Sequence, residues 1–241
     1  MILLDYSQIA LSNIIVQKLN DENMIRHMIL NSIRMYNKKY RNEYGQMVIC
    51  ADGMNTWRKD YFPLYKAHRK KNRSESDQDW PEIFRILNLV REEIRENLPY
   101  KVIHLEGCEA DDVIGTLAMQ TQEFGQHEPV MIISSDKDFI QLHKYTNVKQ
   151  FSPIQKKMVS DPNPRTYCFE HICKGDKGDG IPNILSPDNA IIDEIRQSPM
   201  TKKKIQHWAE NSDNLKGVMT EEEYRNYQRN KTLIDLNEIP E

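Results

Sequence analysis

Short apolar runs and amphipathic stretches alternate along the chain, and their periods set the elements the sequence predicts. MILLDY opens as a strand that ends at Asp5. From about Asn20 to Tyr44, Ile25, Met28, Ile29, Ile33 and Tyr36 recur near a 3.6-residue period, with Gly45 as the stop, so this stretch reads as a helix. MVICAD (47–52) is a second apolar run ending in an aspartate. WPEIFRILNLVREEIRENLP (80–99) follows as a helix with Pro81 in its first turn, Ile83, Leu87, Val90 and Ile94 on one face, and Pro99 ending it. VIHLEG (102–107) then leads into EADDVIGTLAMQTQEFG, a strand and a helix with Val113, Ile114, Leu117 and Ala118 inward, and PVMIISSD is a further strand. Strand and helix in alternation predict an α/β fold with a mostly parallel, doubly wound sheet flanked by helices. Further on, YCFEHIC fits one face of a short buried helix, TKKK (201–204) a solvated helix start, and TEEEYRNYQRNK a capped helix beginning at Thr220.

The strand ends share a chemistry. Each of the four apolar runs is followed within a few residues by carboxylates: Asp5, Asp52, Glu109 with Asp111 and Asp112, and Asp136 with Asp138. In open α/β sheets the carboxyl ends of the strands border the ligand crevice, so acids from separate segments converge there. A lone aspartate after a strand is ordinarily a turn or cap residue, and acids in a first helical turn are favoured by the macrodipole. Capping explains one of Asp136 and Asp138 easily and both poorly. Seven ionised carboxylates in one cleft repel strongly unless divalent cations sit among them, and an all-oxygen donor set favours magnesium or manganese over zinc. Downstream, KGDKGDGIPN places Asp176 and Asp179 three apart in a Gly-rich turn, a spacing equally suited to aiming both at one cavity or to making a polar turn.

Composition narrows the class. With 241 residues, 39% hydrophobic and 29% charged, the chain suits one domain or a larger domain with a small appendage. Lys and Arg total 33 against 36 Asp and Glu, a balance of −3, so any nucleic-acid surface must come from local segregation of charge. Such a segment exists: YFPLYKAHRKKNRS (61–74) holds Lys66, Arg69, Lys70, Lys71 and Arg73 and no acid, with Tyr61, Phe62 and Tyr65 interleaved and Arg58 and Lys59 just before it. Positive charge with aromatics is the footprint of a binder of phosphate backbones and stacked bases; the plain alternative is a solvated face. Cys50, Cys108, Cys168 and Cys173 form no secreted framework, no signal peptide opens the chain, and no apolar run reaches the roughly 20 residues that span a bilayer, so a cytoplasmic protein with no membrane partner is expected. Cys168, His171 and Cys173 suggest zinc only weakly, for want of a fourth ligand.

In order along the chain, LLDYS, CAD, WRKDYFPLYKAHRK, EGCEADD, ISSDKDFIQL and KGDKGDGIPN resemble the 5' nuclease family: flap endonucleases, the 5' nuclease domains of bacterial DNA polymerases, and in particular the ribonuclease H group of T-even type bacteriophages. The resemblance runs from Met1 to about Ile184, and more loosely through NKTLIDLNEIP. It implies a nuclease domain over 1–160, a basic helical arch over 53–80, and a helical region over 161–241 with a helix-turn-helix-like element that binds duplex. It implies a first metal site on Asp5, Asp52, Glu109, Asp111 and Asp136, and a second on Asp138, Asp176 and Asp179, with Asp112 adjoining. Two magnesium ions, replaceable by manganese, would drive hydrolysis, with Asp136, Lys66 and Arg69 catalytic and Tyr65 stacking. Arg58, Lys59, Tyr65, Lys66, Arg69, Lys70, Lys71 and Arg73 would meet nucleic acid. The implied substrates are RNA–DNA hybrid, forked DNA and 5'-flap DNA, cut by a monomer in the bacterial host cytoplasm, aided by a single-stranded-DNA-binding replication protein.

The sequence departs from the family pattern at Gly180, where Asn is usual, at ILSPDN, which replaces the glycines of a tight duplex-gripping turn, and at His68. The ending at Pro240 and Glu241 suggests a reduced carboxy-terminal part. Two other readings compete. DKD after a strand resembles the nucleophile motif of DxD phosphatases, but Phe139 and Ile140 follow where that pattern differs. An inactive module binding forked nucleic acid would keep the fold, yet gains nothing from so many acids beside phosphates.

Overall fold

The computed structural model describes residues 1–17 and 21–240. Its elements in chain order are β1 (Ile2–Asp5), α1 (Tyr6–Gln17), α2 (Glu22–Tyr44), β2 (Met47–Ala51), α3 (Trp57–Tyr61), α4 (His68–Ser74), α5 (Trp80–Asn97), β3 (Lys101–His104), α6 (Ala110–Gln120), β4 (Val130–Ile133), β5 (Val148–Ser152), β6 (Lys157–Val159), α7 (Pro164–Lys174), α8 (Lys202–Glu210), α9 (Leu215–Val218) and α10 (Glu221–Ile234). They form two compact units. The first comprises Met1–Thr56 and Asp79–Pro162, the second Trp57–Gln78 and Asn163–Glu241.

The first unit is built on one six-stranded sheet of order β3-β2-β1-β4-β5-β6. The first five strands run parallel, and only β6 returns antiparallel on β5. Parallel strands are covered on both faces, which is why β1 and β4 read as unbroken apolar runs: Ile2, Leu3, Leu4, Val130, Ile132 and Ile133 are wholly buried. Ile25, Ile29 and Ile33 of α2 and Ile83, Ile86, Val90 and Ile94 of α5 complete the core against the sheet. Asp21 caps α2 by accepting from the Met24 amide at 2.8 Å, and Asp79 caps α5 through the Glu82 amide at 3.1 Å. In this strand order the winding reverses between β1 and β4, so the crevice at their carboxyl ends lies beside Asp5 and the Ser134–Asp136 turn.

Several elements differ from the sequence reading. Helix α2 begins at Glu22, and the expected start at Asn20 lies outside the described residues. Helix α1 carries no amphipathic stripe and no acidic first turn, so nothing in YSQIALSNIIVQ marks it beyond its apolar content. Strand β3 stops at His104 because Leu105 is exposed and Gly107, with φ +79°, donates to the Met54 carbonyl and turns the chain. Strands β5 and β6 escaped notice because the buried residues of β5 include Gln150 and Ser152.

The second unit is helical. Phe62, Tyr65, Ile172, Ile181, Ile184, Ile205, Trp208, Tyr227 and Leu233 share one core, so the segment after β2 packs with the carboxy-terminal helices and not with the sheet. Thr220 and Glu223 form the capping box that the sequence reading placed at the head of α10.

Truncating Ile49, wholly buried in β2, to Ala should cost about 2–5 kcal/mol, whereas Thr220→Ala at the α10 cap should cost about 1 kcal/mol. Urea unfolding midpoints of the two variants check this; equal losses would refute the placement of Ile49 in the main core.

Candidate metal centre and phosphate-holding residues

Asp5 ends β1 and is 93% shielded from solvent, a costly place for a charge. Its carboxylate accepts from Ser134 Oγ at 3.0 Å and from the Gln8 amide at 3.1 Å. Burial pushes the Asp5 carboxyl up to about 7, with Asp52 and, more weakly, Asp136 raising it further against those two hydrogen bonds. Asp52 follows β2 and accepts from the Ala110 amide at 2.9 Å, which ties the end of β2 to the head of α6. Glu109 caps α6, and its own amide donates to Asp112 at 2.9 Å, a reciprocal box that buries Asp112. Asp111, in the same first turn, acts electrostatically with Asp5 on the buried Cys50 thiol, which burial raises first of all.

The turn after β4 is held by neutral groups. The Asp136 amide donates to Ser134 Oγ at 3.1 Å and the Asp138 amide to Asp136 Oδ1 at 2.9 Å, so the pair belongs to one tight turn. Gln150, wholly buried in β5, donates through Nε2 to the carbonyls of Ser134 at 2.9 Å and Asp136 at 2.6 Å. The sequence reading missed Ser134, Gln8 and Gln150. Ser134 was legible as the neighbour of Asp136, but Gln150 acquires its role only when β5 pairs with β4.

Asp5, Asp52, Asp111 and Asp136 thus stand at the carboxyl end of one sheet within electrostatic reach of Asp5 or its neighbour Cys50. A carboxyl driven up by burial, and further by Asp52 and Asp136, belongs to a set short of positive charge, and the donors of that set are all oxygen. These residues fit a hard divalent cation.

In the helical unit, the expected phosphate-holding residues meet an expected metal ligand. Asp179 accepts from Tyr65 Oη at 2.9 Å and pairs with Arg69 at 2.5 Å and Lys66 at 3.6 Å. Lys66 has φ +55°, a costly backbone for a non-glycine residue, and its amide donates to the Asp179 carbonyl at 2.7 Å. Gly180, also at positive φ, lies so near this segment that a Cβ would meet the Leu64 carbonyl and His68 Nδ1 at 3.1 Å. Asp176 bonds His171 at 3.2 Å, and that bond holds its carboxyl below the usual range.

Two expected nucleic-acid contacts are corrected. Arg58 is buried, donating through Nε to the Leu233 carbonyl at 2.9 Å and lying over the Trp57 ring, so it is a structural residue of the helical core. Tyr65 is buried as well, and its ring cannot offer a face for stacking. Lys59, Lys70 and Lys71 are exposed, though Lys71 pairs with Glu194 at 2.7 Å; Arg73 is half-buried and bonds the Arg69 carbonyl at 3.2 Å. Among the described residues the cysteines join no cluster of three potential metal ligands, and burial pushes the Cys173 thiol up to about 12, far from a thiolate.

Comparison with known proteins converges with this geometry. The model of the 5'-3' exonuclease N-terminal resolvase-like domain matches residues 6–167, and that of the T4 RNase H C-terminal domain matches residues 163–241. Ribonuclease H of Enterobacteria phage T4 is 37% identical over 251 residues, covering 99% of this chain and 82% of that protein. A 5'-3' exonuclease of Buchnera aphidicola from Acyrthosiphon pisum is 31% identical over 155 residues, 61% of this chain and 50% of that one. Phage T5 5'-exonuclease, solved with divalent zinc bound, aligns with TM-score 0.70 at 18% identity over 98% of this chain and 89% of that chain. A T5 flap endonuclease variant in a pseudo-enzyme-product complex with DNA and metal ions gives TM-score 0.68 at 18% identity, over 98% and 88%. The two T5 structures share the fold: six mostly parallel strands flanked by helices.

Asp5→Asn should remove repulsion at the strand ends, raising the unfolding temperature of the metal-free protein by a few degrees and shrinking the further rise on adding magnesium or manganese. Calorimetry with and without chelator checks both; an unchanged rise would remove Asp5 from the metal set. Gln150→Leu leaves two carbonyls unsatisfied, should cost about 1–3 kcal/mol, and should weaken the divalent titration.

Proposed function

The chain belongs to the 5'-3' exonuclease family and is a 5' nuclease, a phosphodiester hydrolase, and we propose that it removes RNA primers and adjacent DNA from their 5' ends in a magnesium-dependent, structure-specific reaction. The observation that carries this reading is Asp5, buried at the switch point of the sheet and raised to about 7 among Asp52 and Asp136. The name of the T4 relative, Ribonuclease H, supports RNA–DNA hybrid as a substrate, and the T5 complex with DNA supports forked and 5'-flap DNA. A single-stranded-DNA-binding replication protein is proposed as partner, a monomer as the working state, and the bacterial host cytoplasm as the location. No helix among the described residues is long and apolar enough to cross a membrane.

Asp5, Asp52, Glu109, Asp111 and Asp136 are the proposed ligands on the sheet unit, with Asp112 holding Glu109 by the helix cap. Asp138 on that unit, and Asp176 with Asp179 on the helical unit, are carried as further ligands on the family resemblance. These residues would hold two magnesium ions, or manganese in their place, which would supply charge neutralisation and water activation. The chain's own work is orientation and charge. Ser134 and Gln150 fix the Asp136 turn, and Lys66 and Arg69 offer cations to the phosphoryl oxygens as charge grows there. No side chain needs to act as a nucleophile. The products are a 5' phosphate and a 3' hydroxyl on short oligonucleotides.

The test is a time course on a 5'-labelled RNA primer annealed to DNA and on a DNA flap, with magnesium or with chelator. Asp136→Asn should lower cleavage by about a thousand-fold or more while forked-DNA binding survives; near wild-type turnover would take Asp136 out of the metal set. Lys66→Ala and Arg69→Ala should each slow single-turnover cleavage by roughly 100-fold, and a loss of binding alone, with the chemical step intact, would contradict the phosphate-holding role.

A further inference from the structure

Helix α10 buries a row of polar side chains: Asn226, Arg229 and Asn230 are 1%, 7% and 0% exposed. Buried amides and guanidinium groups are tolerated only when their donors are used. Here they reach the main chain on both sides of the acidic turn. Asn230 Nδ2 donates to the Ile172 and Pro182 carbonyls at 2.8 and 2.9 Å, and Arg229 Nη2 donates to the same Pro182 carbonyl at 3.1 Å. Asn226 Nδ2 donates to the Ile184 carbonyl at 3.0 Å.

Pro182 closes the turn that carries Asp176 and Asp179. The Ile181 amide returns to the Asp176 carbonyl at 2.8 Å, and a Cβ on Gly175 would lie 2.5 Å from the Pro182 oxygen, so the two ends of the turn touch. On its other side the Arg229 guanidinium lies 5.5 Å from the centre of the Phe62 ring. Phe62 is one hydrogen-bonded turn from Tyr65, whose amide donates to its carbonyl at 2.9 Å, and Lys66 follows directly. One side chain therefore braces both the turn bearing Asp179 and the segment bearing Lys66 and Arg69. We propose that Arg229, seconded by Asn230, is a positioning residue for the nuclease reaction, setting the Asp176–Asp179 turn in register with the cations that hold the phosphate. The proposal rests on the roles given above to Asp179, Lys66 and Arg69.

The geometry calls for a guanidinium. Arg229 donates through Nε to Asn230 Oδ1 at 2.9 Å and through Nη1 to Asp188 while Nη2 holds Pro182, and it does so over the Phe62 ring. A lysine ammonium is a point charge that can keep the Asp188 pair but not the fork.

The experiment compares Arg229→Lys, Arg229→Met and Arg26→Ala in the full chain, by single-turnover cleavage of a 5' flap, flap binding and divalent titration well below each unfolding temperature. Arg26 serves as the control because its bonds to Glu22 and Glu93 lie in the sheet unit. Both Arg229 variants should cleave about 10–100-fold more slowly, with a several-fold higher divalent half-saturation and unchanged flap affinity, while Arg26→Ala loses stability alone. Wild-type cleavage and titration by Arg229→Lys would overturn the proposal, as would losses that merely follow the unfolded fraction. Asp179→Asn separates the levels: if it cleaves at the wild-type rate, the reading of the turn fails and the proposal with it. If Asp179→Asn is slow and Arg229→Lys is not, the proposal alone fails.

Discussion

Repulsion between carboxylates at the ends of parallel strands is the constraint on which the sheet unit is organised. The strand order brings Asp5, Asp52 and Asp136 to one edge of one sheet, and burial of Asp5 makes their mutual repulsion expensive. Hydroxyl and amide donors at Ser134, Gln8 and Ala110 soften that repulsion without cancelling the charge a cation needs. The unbroken apolar strands beneath supply stability enough to hold the acids where they would not choose to be. An active edge resting on an oversized hydrophobic base is the result.

The helical unit meets the opposite problem. Its acid Asp179 is already paired with Lys66 and Arg69, so these groups order one another. Their register then depends on backbone details: the positive φ of Lys66, the bare α-carbon of Gly180, and the pinned carbonyl of Pro182. Polar side chains of α10 add to the apolar core of this unit the bonds that hold the Pro182 carbonyl.

Much of this was legible in the sequence because it is periodic or local. Strands β1, β2 and β4, helices α2, α5 and α6, the α10 cap and the acids at the strand ends all announce themselves in a window of a dozen residues. What stayed hidden depends on partners remote in sequence. Gln150 gains its meaning from strand pairing, Arg229 from a turn some fifty residues earlier, about the reach of the hydrogen bond to Pro182. The basic segment was read from its charges, its interleaved aromatics and the family pattern, none of which can tell that Arg58 and Tyr65 turn inward while Lys59 and Lys70 stay outside. Helix α1, apolar without a stripe, offered no period to read.

The segment Trp57–Gln78 belongs to the helical unit although it is strung between β2 and α5 of the sheet unit. As the chain leaves a ribosome, Phe62 and Tyr65 must wait for Ile172, Trp208 and Tyr227 to be made before they have anything to pack against. The sheet has its last strand by Val159, so it can close first around an unfinished loop. Nascent chains can therefore assemble the acidic edge of the sheet before the Trp57–Gln78 segment has the rest of its own core to pack against.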